Sequence, residues 1–229
     1  MISGVVVPCA GLGTRLEPLR AGTPKEMLPL GGLPLVHWAL REIEATGVDD
    51  VVWTIGPGKE PLRDYVEAAA PRRLRMRFAI QAEPTGVGAA VRLGRALLGP
   101  GRFAVLYPDY VQLPGHAGLC AVLAVSEGCA IGLVRMDAGR ALRLGRTARA
   151  IVTDDRRVER LEAAAPEPGA WHTCFAEIRE TDPPANDAHV LDAWNEIAAA
   201  GRLCGVEIPG EVLDVGTIAG YEDARRRMG

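Results

Sequence analysis

The chain contains no run of 18 apolar residues, so no helix is expected to cross a membrane. Met1 is followed almost at once by the apolar segment ISGVVV (2–7), with no basic start and no cleavable apolar region; a signal peptide is not expected. The five cysteines, Cys9, Cys120, Cys129, Cys174 and Cys204, include no pair spaced as a zinc knuckle or a redox CxxC. They read as small buried hydrophobes in a protein of the reducing cytoplasm. Charge has no dominant sign: the formal net charge is −3, which argues against general nucleic-acid binding, and the arginine clusters at 72–77 and 140–149 read as solvated faces. Lysine is nearly missing. There are two, Lys25 and Lys59, against 24 arginines, so a lysine in the opening segment VVVPCAGLGTRLEPLRAGTPKEMLPL (5–30) stands out.

What is present is ample for a core: 229 residues, 48% of them apolar. The first half alternates. Residues 2–7 predict a strand buried on both faces, and 34–46 a helix with Leu35, Trp38, Ala39 and Ile43 on one face. VVWTI (51–55) predicts a strand, 61–70 a helix, 74–80 a strand, 86–98 a helix, 102–107 a strand, 115–128 a helix and 129–136 a strand. That order predicts a parallel sheet with helices on both faces, a Rossmann-like doubly wound α/β fold. The second half carries shorter strands at 148–153, 157–162 and 171–178, then a helix at 188–200, a strand at 203–209 and a closing helix over about 217–227. One domain is expected over 1–229, with a nucleotide-binding core at 1–136 and a smaller β-rich acceptor-side region at 140–185.

A glycine-rich turn after the first strand of such a sheet lies where these folds bind ligands, and its backbone N–H groups can converge on phosphate. Two familiar patterns do not fit. A dinucleotide fingerprint needs a third glycine, but Gly11-Leu12-Gly13-Thr14-Arg15 is followed by Leu16; no Walker loop is present either.

GLGTR followed by PKEMLP instead resembles the sugar-nucleotide pyrophosphorylases, nucleotidyltransferases that join an NTP to a sugar 1-phosphate, and most closely their UTP–glucose-1-phosphate uridylyltransferase members. The stretches TIGPGKEPLRDYV, QAEPTGVGAAV and LDVGTIAGYEDA are similar to further segments of that family. The resemblance implies the family's nucleotide-diphospho-sugar transferase fold, a Mg²⁺ cofactor held by Asp109 and Asp214, and a nucleotide cradled by Ala10, Gly11, Gly13, Thr14, Gln81 and Gly86. Gln81 would read a pyrimidine edge, and UTP is the first choice of nucleotide. Arg15 and Lys25 would be the catalytic cations.

The chemistry of such a reaction agrees with these residue types. An acceptor phosphate displaces pyrophosphate in line at the α-phosphorus. The nucleophilic oxygen is already anionic, so no general base is needed; the site must neutralise charge and align two anions.

The resemblance breaks at the acceptor. Where relatives carry Glu-Lys-Pro, this chain reads Leu161-Glu162-Ala163-Ala164-Ala165-Pro166. Glu162 stands at the sugar-binding glutamate and Ala163 at the lysine. The relatives' GEIQLTDA appears as NDAHVLDA (186–193), keeping Asp192 as the second acceptor residue. A replacement cation is expected from Arg140–Arg149, Arg157 or Arg160. The partners expected are an NTP and a phosphorylated small molecule, with no nucleic acid and no membrane; a homo-oligomer is left open. Alternatives are a non-catalytic nucleotide-sugar-binding regulator and a transferase for a non-sugar phosphate or phosphonate acceptor. A dehydrogenase is disfavoured by Leu16.

Overall fold

A computed structural model describes residues 2–135, 137, 147–184 and 187–229. The first strand, β1 (Ile2–Cys9), lies between β2 (Asp50–Ile55) and β4 (Arg102–Leu106), parallel to both, and β3 (Arg75–Ile80) continues the parallel set beyond β2. Val5, Val6 and Val7 are wholly buried. Val5 and Val7 pack on one face with α1 (Val36–Glu44) and α2 (Glu60–Ala69), while Val6 packs on the other with Val91 of α3 (Val87–Arg95). The continuous apolar run is thus the mark of a strand covered on both sides. Helix α1 buries Val36, Ala39, Leu40 and Ile43 on one face; of the residues expected there, Ala39 and Ile43 are on it, while Leu35 and Trp38 pack with Leu28, Leu30 and Tyr221.

Beyond β4 the sheet turns antiparallel. Strand β9 (Trp171–Arg179) pairs with β4 along one edge and with β6 (Cys129–Arg135) along the other, and its first residues pair with β7 (Thr147–Val152). Strand β8 (Val158–Ala164) completes a hairpin with β7, and β10 (Leu203–Glu207) runs parallel to β6. Nine strands share this sheet. The register of β9 shifts between Thr173 and Glu177, where Phe175 has φ 69° and is fully buried. Helix α5 (Val190–Ala199) covers β8, burying Trp194 and Ile197.

Three features depart from the sequence expectation. Helix α4 is only Gly118–Leu123 rather than 115–128; its late start follows from the Gln112 side chain, which takes the N–H of Ala117 and holds the preceding turn outside the helix. Pro29–Leu30 and Leu33–Pro34 form a small hairpin. The third is a separate two-stranded ribbon, β5 (Tyr110–Leu113) against β11 (Glu211–Asp214), antiparallel, with Asp214 opposite Tyr110. The closing helix α6 (Ile218–Met228) follows it, its N-terminus capped by the hydroxyl of Thr217, which accepts the Gly220 N–H. Among the described residues no helix is long and apolar enough to cross a membrane.

Candidate active site

The loop after β1 is held from three sides. Gly13 takes a left-handed conformation (φ 66°), and a Cβ there would lie 2.9 Å from Arg20 Nη1 and 3.0 Å from Lys25 Cδ; only glycine fits. The Arg20 guanidinium donates to the carbonyl of Leu12. Lys59 is buried and donates to the carbonyls of Cys9 and Gly11 (2.9 Å for the latter) and to both carboxylate oxygens of Glu26, each at 2.8 Å. One ammonium therefore fastens the end of β1, the glycine loop and the PKEM segment together. Between its anchors the loop is open: Gly11 and Thr14 are exposed, and nothing lies within 4 Å of a Cβ placed at Gly11. Ala10 is buried at its base.

Lys25 faces the other way. Its ammonium donates to Asp109 Oδ1 at 2.5 Å and Oδ2 at 2.6 Å. Burial works to lower the Lys25 pKa, but the charges of Asp109 and Glu26 outweigh it and hold the lysine protonated, with its pKa raised. Asp109 leaves β4 at the strand's carboxyl end. Asp214 closes β11, and the β5·β11 ladder brings it alongside, with the Val215 N–H donating to the Asp109 carbonyl at 2.8 Å. Gly216 marks where the groups converge. A Cβ built there would stand 3.1 Å from Asp214 Oδ1, 3.3 Å from Asp109 Oδ2 and 3.4 Å from Arg15 Nη2. Two carboxylates and a guanidinium thus approach one point, with Lys25 against one of the carboxylates. Tyr110, beside them, has its pKa raised well above the usual phenol value by burial and by the charge of Asp214. Cys9 is also buried, and burial together with Glu26 keeps it a thiol.

The donor set suits a hard divalent cation. Two carboxylates would supply hard oxygen ligands, the partial protein shell that Mg²⁺ commonly takes. Among the described residues no cluster of three or more His, Cys, Asp or Glu is placed to hold a metal ion.

Gln81 is buried and braces the next loop, its Nε2 donating to Thr85 Oγ1 and to the Gly86 carbonyl, each at 3.1 Å. Gly86 (φ 110°) leads into α3, and here the fold adds a residue the motifs did not single out. The carboxylate of Asp187 accepts the N–H groups of Val87 (3.0 Å) and Gly88 (2.8 Å), capping α3 from far along the chain. A Cβ on Gly86 would come within 2.6 Å of that carboxylate.

From Tyr110 and Asp187 a cleft of about 960 Å³ opens toward β8 and α5. Its far wall includes Leu161, Ala163, Ala164, Ala165 and Pro166. The two residues expected to hold the acceptor are elsewhere. Glu162, between Leu161 and Ala163, is turned to Arg149 (2.5 Å) and Arg160. Asp192 is on the solvent side of α5, 3.5 Å from His189 Nδ1. The expected replacement cations are committed as well. Arg149 also bonds Glu167 at 2.8 Å, and Arg157 bonds the Gly201 carbonyl at 2.6 Å. Arg140, Arg143 and Arg146 lie outside the described residues. The carboxylates that do line the cleft are Glu177 and Asp187.

A family model, the MobA-like NTP transferase domain, matches residues 5–181. The chain belongs to this family. A UTP–glucose-1-phosphate uridylyltransferase of Pseudomonas aeruginosa is 25% identical, aligned over 98% of this chain and 95% of its own length. Among solved structures, UDP-glucose pyrophosphorylase from Acinetobacter baumannii superposes with a TM-score of 0.81 at 21% identity, covering all of this chain and 94% of that one. A UTP-bound form superposes with a TM-score of 0.79 at 20% identity, with the same coverage. The fold is that of the nucleotidyltransferases, and the chain is an enzyme of that kind.

Proposed function

We propose that the protein transfers a nucleotidyl group from UTP to a sugar 1-phosphate or a similarly phosphorylated small molecule, with Mg²⁺, releasing pyrophosphate in the cytoplasm. The observation that carries this is the meeting of Asp109, Asp214 and Arg15 at Gly216, with Lys25 on Asp109, beside an open glycine loop. A protein that only bound nucleotide would have no need of the whole charge-neutralising set.

In this reading Asp109 and Asp214 hold the ion, which supplies charge neutralisation at the phosphates. Backbone N–H groups of Gly11–Thr14 face the NTP phosphates across the open loop. Lys25 and Arg15 stabilise the charge that builds on the transferring phosphoryl oxygens. Lys25, which holds both Asp109 oxygens, would turn to the bound phosphates when Asp109 holds the ion. The acceptor oxygen forms its bond to the α-phosphorus as the bond to the bridging α–β oxygen breaks. Pyrophosphate leaves with that electron pair, and no proton transfer is required.

The test is pyrophosphate release by the full chain with Mg²⁺, each of the four NTPs and a panel of phosphorylated acceptors. Release with UTP and at least one acceptor is expected. Nucleotide binding without release from any pair would replace this reading with a regulatory nucleotide-binding role, which the alanine wall of the cleft favours as the second choice.

A further inference from the structure

The cleft that would receive the acceptor is unlike a carbohydrate site. The stretch aligned with the relatives' Glu-Lys-Pro presents Ala163, Ala164, Ala165 and Pro166 to the cavity, and Val190, Leu191 and Trp194 face it from α5. Among the described lining residues there is no Lys, Arg or His.

Most of the polar side chains that remain are already engaged. Glu177 Oε1 takes the Nε–H of Arg179 at 2.5 Å, and it also takes part in a hydrogen bond with Tyr107. The guanidinium of Arg179 in turn lies 4.1 Å over the ring of Trp194. Asp187 caps α3. Thr147 and Thr173 bond one another, Oγ1 to Oγ1 at 3.2 Å. A hexose brings several hydroxyls, and each one buried without a partner costs free energy that an alkyl group does not. Selection by unpaired polar groups is among the strongest kinds available to a binding site.

The sign of the lining narrows the choice further. Among the described lining residues Glu177 is paired with Arg179, while the carboxylate of Asp187 meets backbone N–H groups beside the rings of Tyr107 and Tyr110. A second anionic group on the acceptor body would be repelled. An alkyl body fits the apolar wall, and so does an alkylammonium, which the Asp187 carboxylate and the tyrosine faces attract.

We infer that the acceptor of this enzyme is a small phosphate monoester or phosphonate whose body is alkyl or alkylammonium, not a hexose 1-phosphate. This rests on the nucleotidyl-transfer reading and changes only the acceptor. The phosphate end meets the Asp109–Asp214 side of the cleft, and the body lies against Ala163–Pro166 and α5.

The experiment compares kcat/KM for pyrophosphate release, with the preferred NTP and Mg²⁺, across glucose 1-phosphate, glycerol 3-phosphate, ethyl phosphate, O-phosphoethanolamine, phosphocholine and 2-aminoethylphosphonate. At least one alkyl or alkylammonium acceptor should exceed glucose 1-phosphate by tenfold or more. Glucose 1-phosphate equal to or better than all of them overturns the inference while leaving nucleotidyl transfer intact. No release with any acceptor removes nucleotidyl transfer itself, and the acceptor class falls with it.

Ala163→Lys supplies a second arm, because Ala163 is solvent-exposed and the chain should tolerate the change. The lysine should raise glucose 1-phosphate use relative to the best alkylammonium acceptor by at least tenfold. Ala163→Met, of similar length and no charge, should leave that ratio within about threefold. A ratio unmoved by the lysine would show that this wall does not select the acceptor, and would overturn the inference.

Discussion

The ammonium of Lys59 sits 2.8 Å from each carboxylate oxygen of Glu26, and both side chains are buried. An isolated charge on either partner would be uncompensated in the interior. Removing one partner of such a pair costs about 3–5 kcal/mol, whereas removing both together can be close to neutral. Lys59→Met and Glu26→Gln should each lower stability by that order in denaturant titration, and the double variant should recover most of it. Because Lys59 also holds the Cys9 and Gly11 carbonyls, the double variant should still bind NTP more weakly than the parent. Equal KM values for the two would show that the clamp does not shape the loop.

The four charged groups near Gly216 divide by role. Asp109→Asn and Asp214→Asn should each cut turnover by orders of magnitude and shift the Mg²⁺ dependence to higher concentration. Lys25→Ala and Arg15→Ala should lower kcat by about 100-fold, corresponding to about 3 kcal/mol of lost charge stabilisation; Arg15→Ala should change the metal dependence little, whereas Lys25→Ala, which frees both Asp109 oxygens, should shift it to lower Mg²⁺ concentration. Full activity in both aspartate variants, with circular dichroism unchanged, would remove the assigned ion site.

Gln81 spends both amide hydrogens on Thr85 and Gly86, so its side-chain oxygen is what it can offer a base. Gln81→Ala should raise the nucleotide KM by about tenfold, an effect of the size of one hydrogen bond, and should narrow the preference of UTP over ATP and GTP. A parent enzyme that already prefers purine triphosphates would contradict this assignment.

A pH dependence follows from Glu42. Its carboxylate is buried under α4, accepting the Leu119 N–H at 3.0 Å, with His116 Nδ1 3.8 Å from its other oxygen. Burial pushes its pKa up to about 7 from an ordinary 4.5. The folded state therefore favours the protonated acid. The stability this confers is complete below about pH 4.5 and is lost as pH rises toward 7. His116 and His37 nearby are shifted down by burial and the charge of Arg41, so they add little positive charge above neutrality. Glu42→Gln should match the parent's melting temperature near pH 5 and exceed it at pH 8. A constant difference across that range would mean that Glu42 does not titrate there.

Much of the core was legible because it is local. The apolar run at 2–7, the existence of α1 and the glycine loop are each decided by residues close in sequence, though the α1 face was only half legible: Leu35 and Trp38 pack in a separate cluster. Asp109 and Asp214 could be named from motifs, but their approach depends on the β5·β11 ribbon, whose short strands give too little pattern to see. The acceptor side was less legible. Glu162 keeps the residue type expected there, yet two neighbouring arginines capture it, a pairing fixed by strand register rather than by composition. Asp187 carries no motif of its own. Its signal is geometric: Gly86 and Gly88 both lack the Cβ that its carboxylate or the adjacent backbone would collide with. Lys59 could have been found from scarcity alone, as one of two lysines in a chain that otherwise uses arginine.

The β5·β11 ladder also gives the molecule a timetable. During synthesis Arg15, Lys25 and Asp109 leave the ribosome well before Asp214, which follows Asp109 by 105 residues. The parallel strands β1–β4 can assemble while the second carboxylate is still being translated. Such an intermediate holds the loop, Arg15, Lys25 and Asp109 but lacks Asp214, so the meeting of the two carboxylates at Gly216 comes last, when β11 pairs with β5.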